Sequence, residues 1–282
     1  MPIYDQSYRP YRGAFSSHST RWWTIARTGV MSLVSRRLFI VLLCTSCIFP
    51  VVCGFQIYFA TRFPEENLGG LLSIDAEFFR RLLEIQSFWL VVLGIFPGTG
   101  LIANDLKGNA IQLYLSKPLT RVDYVAGKFA ILGTFMLGVT LLPGLLLFAL
   151  QVGFSSDLTF LRQYWWLPLS VVGYSVIAVA AWGLVVLAMS STSKSSRYVG
   201  VILLALVFFS SGFAFFLRAV FNSETVLVLS LFDDLKQVTY LFFGGTSEFG
   251  DLRVPALVVL ALLSAASVLI LRARVRAVEV VT

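Results

Sequence analysis

With one histidine, three cysteines and only 13% charged residues in 282, the sequence offers little from which to build a catalytic centre. The single His18 lies in a polar N-terminal tail, which removes histidine-based acid–base chemistry and zinc sites of the HExxH type. Glu65–Glu66 begins like an EExxxR protease motif, but Gly70 stands where the arginine is required. No GxSxG occurs. The one Gly127–Lys128 pair lacks the upstream glycine of a phosphate-binding loop, and Phe129 takes the place of its Ser/Thr. The chain therefore has no route to ATP by that loop, and no cofactor, metal or catalytic residue is expected on it.

Cys44, Cys47 and Cys53 share one apolar run, so they report neither a disulfide framework nor a redox compartment. Cys44 and Cys47 are three apart on one helix face and could hold a soft ion such as Cu(I). Ordinary packing of small polarizable side chains is the other reading, and no Met, His or carboxylate in the run completes a metal site.

What the sequence has in quantity is hydrocarbon. Hydrophobic residues make up 57% of it, and mean hydropathy is +0.83. Soluble domains carry roughly a quarter charged residues, and one this apolar would aggregate. The formal charge of +7 raises nucleic acid as a partner, but the basic residues flank apolar runs instead of forming one solvated patch, so none is expected. Met1 to Arg37 is too long and polar before the first apolar run to be a secretory signal, so that run is expected to remain as a span.

A bilayer core of about 30 Å takes roughly 17–25 apolar residues as helix. Six runs qualify, at about 38–60, 85–103, 129–152, 167–189, 198–217 and 254–271, and none contains Asp, Glu, Lys or Arg. An open sheet edge cannot be satisfied in lipid, so the expected fold class is all-α integral membrane with six transmembrane helices. With both termini in the cytoplasm, 15 of the 22 Lys/Arg residues fall on the inner side, which favours that orientation about two to one.

Before the first span, Trp22/Trp23, Ala26, Val30 and Leu33/Val34 recur at helical spacing, with Arg21, Thr24, Arg27 and Thr28 largely opposite. Such a basic amphipathic helix, over Thr20 to Arg37, belongs at the headgroup layer; a solvated extension of the first span is the alternative. Leu71 to Glu84 has a roughly helical period and runs into span two. Thr225 to Phe243 is too charged to span and too apolar to be a free loop, and fits a re-entrant or interfacial segment before the last span. Residues 1–37 are thus expected as tail and interfacial helix, and 38–282 as one six-span domain.

Gly94 and Gly98 form a GxxxG pair enclosing Pro97, which serves equally as a packing kink or as a hinge at a subunit interface. The spans carry no ionisable group at mid-membrane, which disfavours proton- or sodium-coupled transport and implies energy from elsewhere.

Between spans two and three runs Asn104 to Lys128. Gly108 to Leu115 reads as a short helix, with Ile111 and Leu115 four apart, and Pro118 ends it. Thr120 is a plausible N-cap for a second helix that continues through Arg121, Asp123 and Lys128 into span three. The segment reads as a shaped knob, against the plainer alternative of a capped connector.

This segment resembles that of the membrane subunits of type-2 ABC transporters: Asp105, Gly108, the Leu-Tyr-Leu run, Pro118-Leu-Thr-Arg121 and Gly127-Lys128 match in order. The six-span plan is similar too, in detail to single-domain bacterial permeases that include copper-enzyme maturation transporters. The resemblance implies a coupling helix that docks on a separate ABC ATPase, with Asp105, Lys107, Gly108, Asn109, Leu113 and Leu115 as the knob and Pro118, Arg121, Asp123 and Lys128 fixing its exit. The interfacial helix with Trp22, Trp23 and Arg27 would pack near the same ATPase; relatives often carry an acidic residue early in it, where this chain has Ile25-Ala-Arg27-Thr28-Gly29. Further implied are two ATPase copies holding ATP and Mg, a second permease copy or homologous permease, an extracytoplasmic accessory protein, and residence in the cytoplasmic (inner) membrane. A membrane scaffold for another complex is the alternative in a different class, and an intramembrane hydrolase a third. The sequence names no cargo.

Overall fold

The computed structural model describes residues 21–62, 73–110, 114, 119–155, 158–245 and 250–275. Among these, the secondary structure is helical throughout, and six stretches are long and apolar enough to cross a membrane: Arg37–Arg62, Ala76–Lys107, Arg121–Phe154, Leu167–Ser190, Ser196–Phe221 and Arg253–Arg274. The six-span all-α expectation holds, with most spans extending beyond their apolar runs into flanking polar turns.

The first helix, α1 (Arg21–Val34), precedes span one, which is built of α2 (Arg37–Ser46) and α3 (Ile48–Arg62). Span two is α4 (Ala76–Leu101) followed by α5 (Ala103–Lys107), and span three is α6 (Arg121–Phe154). A short α7 (Thr159–Gln163) leads to span four, α8 (Leu167–Ser190), and span five, α9 (Ser196–Phe221). A 3-10 turn (Glu224–Leu229) and α10 (Leu231–Phe243) stand before span six, α11 (Arg253–Arg274).

Span four is the hub, packed by α6, α4 and α11. Its most apolar stretch is 67% buried by protein, against 17% in span one and 22% in spans five and six. The outer spans turn Leu38 and Val51 of span one and Phe208, Phe209, Phe215 and Phe216 of α9 outward, as lipid-facing helices do.

The glycine pair of span two explains how α4 approaches the hub. A Cβ at Gly94 would lie 2.5 Å from Trp182 Nε1, and one at Gly98 would lie 2.1 Å from Val186 Cγ1. Trp182 Nε1 donates to the Val91 carbonyl at 3.2 Å. The close approach these glycines permit is therefore made within the chain.

Span one is not one continuous helix: it breaks at Cys47. Pro50 has no N–H for the Ser46 carbonyl one turn back. The Gln86 side-chain amide, buried on α4, donates to that carbonyl at 3.2 Å. A carbonyl left bare in hydrocarbon would cost several kcal/mol on the order of an unmade hydrogen bond, so the two features belong together.

Where they are described, the segments Leu71 to Glu84 and Thr225 to Phe243 are largely helical; Leu71 and Leu72 lie outside the described residues. Asp75 caps α4, accepting from Phe78 N at 3.0 Å, so the charged stretch before span two is simply that helix's first turns. In the segment before span six, Ser230 caps α10 and meets Ser211 of α9 at 3.0 Å. Ser170 of α8 donates to the Phe242 carbonyl at 3.0 Å, and Gly173 admits the Phe242 ring.

Candidate functional site

The loop from span two to span three starts from a helix end that is held on several sides. Asp105, on α5, accepts Lys128 Nζ and the Tyr124 hydroxyl at the same Oδ2, each at 2.7 Å. Lys128 is buried on α6, and its ammonium also lies 5.9 Å from the Tyr114 ring centroid and 5.5 Å from that of Tyr124. The Lys charge is thus matched by one carboxylate and two π faces, which a buried ammonium requires. Burial, and then the Asp105 carboxylate, push the Tyr114 phenol above its ordinary value.

Beyond Asp105 the chain turns out to solvent. Lys107, Gly108 and Asn109 are exposed, and Asn109 is left-handed with φ 52°. Gly108 and Asn109 form a turn, so any helix in this loop begins no earlier than Ala110; of the rest of the expected Gly108–Leu115 helix only Ala110 and Tyr114 are described, both helical. Leu113, Leu115 and Pro118 lie outside the described residues.

The return is capped as the sequence predicts. Thr120 Oγ1 accepts from Asp123 N at 3.1 Å, and Asp123 Oδ2 accepts from Thr120 N at 3.1 Å, a reciprocal box that starts α6. Arg121 and Val122 sit exposed on its first turn. Asp123 therefore serves the cap, and Lys128 the ion pair.

Gly127 has a separate task. A Cβ there would come within 2.8 Å of Ile25 Cβ and 3.0 Å of the Trp22 carbonyl oxygen, and one at Gly29 would lie 2.1 Å from Ile131 Cδ1. Helix α1 thus lies directly on α6. Ala26 and Leu33 are buried there and Ile25, Gly29 and Val30 half-buried, whereas Trp22, Trp23 and Val34 are exposed. Arg27 is exposed as well.

Between α1, α4 and α6 is a cavity of about 540 Å³ lined by Thr28, Ser32, Pro97, Asn104, Asp105 and Lys128, among others. At the opposite end of the bundle a cleft of about 720 Å³ is lined by Arg80, Glu84, Lys236 and Tyr240 among others. There Lys236 pairs with Glu84 at 3.0 Å, and the Arg80 guanidinium lies 4.4 Å over the Tyr240 ring.

A model of the ABC-2 family transporter protein family matches residues 23–271, most of the chain and every span described above. The chain belongs to the ABC-2 transporter family. It is a multi-pass membrane permease of an ABC transporter, and membership implies an ATPase partner and typically a dimeric assembly. A search of curated proteins finds no match. In this permease Asp105, Gly127 and Lys128, which carry the resemblance, lie with Tyr124 at one end of the bundle, with α1 against them.

Sequence reading did not single out Gln86, Trp182 or Ser190. Gln86 lies inside an apolar run, and polar side chains at that depth signal a partner by default. Ser190, at the end of span four, gives no sequence signal of its own.

Proposed function

We propose that this permease moves its substrate outward across the cytoplasmic membrane, using ATP that a separate subunit hydrolyses. The exposed tip Lys107–Asn109, with Arg121 and Val122 beside it, is the surface that meets the ATPase. Two ATPase copies carry ATP and Mg, and two permeases pair in the membrane, as a homodimer or with a homologue. An extracytoplasmic accessory protein completes the set in some systems of this kind. Both termini lie in the cytoplasm, which puts the tip on the nucleotide side.

The observation that carries this reading is the anchoring of the tip. Asp105 is tied to α6 by a buried charge pair and a phenol, and α6 is in turn clasped by α1. A slack connector has no use for a buried ammonium at its root. A push on the tip reaches span three through Asp105–Lys128 and reaches α1 through Gly127.

The test is Arg121→Glu with Lys107→Glu, both exposed and outside the ion pair. Activity of the co-purified ATPase should fall several-fold while the amount of permease in the membrane stays constant. Unchanged hydrolysis would remove the tip from the docking surface. Purification from mild detergent with no nucleotide-hydrolysing companion would favour a membrane scaffold instead.

A further inference from the structure

The junction of α4 and α5 is an interrupted helix with an identifiable cause. In an unbroken helix the Ala103 N–H would donate to the Thr99 carbonyl. Here the Ser190 hydroxyl of span four stands between them: it accepts from Ala103 N at 3.1 Å and donates to the Thr99 oxygen at 3.0 Å. The same Oγ accepts from Ile102 N at 3.1 Å. Ser190 is fully buried, and Ile102, the residue between the two helices, has φ −106°. A hydroxyl inserted into the i→i−4 ladder is one of the recognised ways in which a helix is bent or broken.

The insertion is reversible without leaving a polar group bare. If Ser190 withdraws, Ala103 N–H returns to the Thr99 carbonyl and Ile102 N–H to that of Gly98. The serine hydroxyl then turns to the Val186 carbonyl one turn back in its own helix, as serines in helices do. Both arrangements satisfy the backbone donors of the junction and the serine hydroxyl, so the penalty that fixes buried backbone in one state is missing here. There is also room to move: the 540 Å³ cavity is lined by Thr99, Gly100, Asn104 and Asp105 on this side of the junction.

We propose that Ser190 is a positioning residue that acts as a removable splice, setting α5 in one of two positions relative to span four. With the hydroxyl inserted, the ladder is open and α5 is held to the hub. With it withdrawn, α5 continues α4 and swings into the cavity. On the reading of α5 and its tip as the ATPase-docking segment, movement of the tip is thereby linked to span four as well as to span three.

The experiment measures the distance distribution between spin labels at Lys107→Cys and Lys194→Cys, in the full chain with Cys44, Cys47 and Cys53 replaced by alanine, in lipid nanodiscs. The parent should show two populations. Ser190→Ala should collapse them to the ladder-closed one. Ala103→Pro, which has no N–H to close the ladder, should keep only the spliced one. Should Ser190→Ala fail to assemble, Ala103→Pro alone decides. Distributions in the variants that match the parent's would overturn the splice. Adding the co-purified ATPase with ATP and vanadate separates the two readings: a splice that responds to Ser190→Ala but not to trapped nucleotide leaves the hinge standing and removes the docking assignment.

Discussion

Lys128 Nζ stands 2.7 Å from Asp105 Oδ2, the same oxygen that receives the Tyr124 hydroxyl, so the start of span three and the end of span two share one half-buried carboxylate. Breaking one half of such a pair leaves an uncompensated charge, whereas removing both halves does not. Lys128→Met and Asp105→Leu should each lower stability by about 3 kcal/mol. The double variant should recover at least half of the summed loss, measured as thermal unfolding in detergent. Strictly additive losses would show that the two groups are not coupled.

Gly127 should be intolerant of a side chain, because its neighbours include the backbone oxygen of Trp22 and the β-carbon of Ile25, neither of which yields cheaply. Gly127→Ala should cost about 1–3 kcal/mol through overpacking and loosen α1. Gly138 and Gly153, with nothing within 4 Å of a Cβ, provide the control. Alanine there should be neutral or stabilising by up to about 1 kcal/mol, since alanine is the better helix former. Proteolysis within α1, followed by gel, distinguishes the three variants.

Gln86 and Pro50 should show compensation. Gln86→Leu removes the donor on the Ser46 carbonyl and should cost about 1–3 kcal/mol. Pro50→Ala restores a backbone N–H at the position that normally serves that carbonyl. The Gln86→Leu/Pro50→Ala double variant should therefore melt above Gln86→Leu alone. A further drop would break the link between the two residues.

Asp234 on α10 is buried with no hydrogen-bond partner for either carboxylate oxygen. Burial, and then the neighbouring Asp233, push its pKa up to about 8. An unfolded aspartate titrates near about 4, so the folded chain binds the extra proton between those values, and stability falls as pH rises through that window. Asp234→Asn removes the penalty. Its melting temperature should exceed the parent's by a margin that grows from pH 5 to pH 9. A constant margin would mean that the folded carboxyl is already ionised at pH 5, with its pKa not raised above the unfolded value.

Much of the site was legible in the sequence. The Thr120 cap was legible and forms, with Asp123 completing a box that the sequence reading did not name; Pro118 lies outside the described residues. Asp105 and Lys128 were both singled out, but as separate parts of a knob and an exit; that they neutralise each other is a fact about how spans two and three pack. Gly94 and Gly98 marked a close approach without naming the partner, which proves to be Trp182 and Val186 of the same chain. For α1, periodicity grouped Trp22, Trp23 and Val34 with Ala26 and Leu33, and protein buries only the last two, because an apolar side chain marks a lipid interface and a protein core alike.

The sequence by itself determined the six spans, since a run of about 20 residues without charge has one stable form in lipid whatever surrounds it. Only the tertiary structure decided what meets the breaks within them. At Cys47 the local cause is Pro50, and the replacement donor, Gln86, comes from another span; at Ile102 the inserted group itself, Ser190, comes from span four. A helix in hydrocarbon keeps its own hydrogen bonds until a neighbour supplies replacements, and which neighbour does so is settled by packing, not by local sequence.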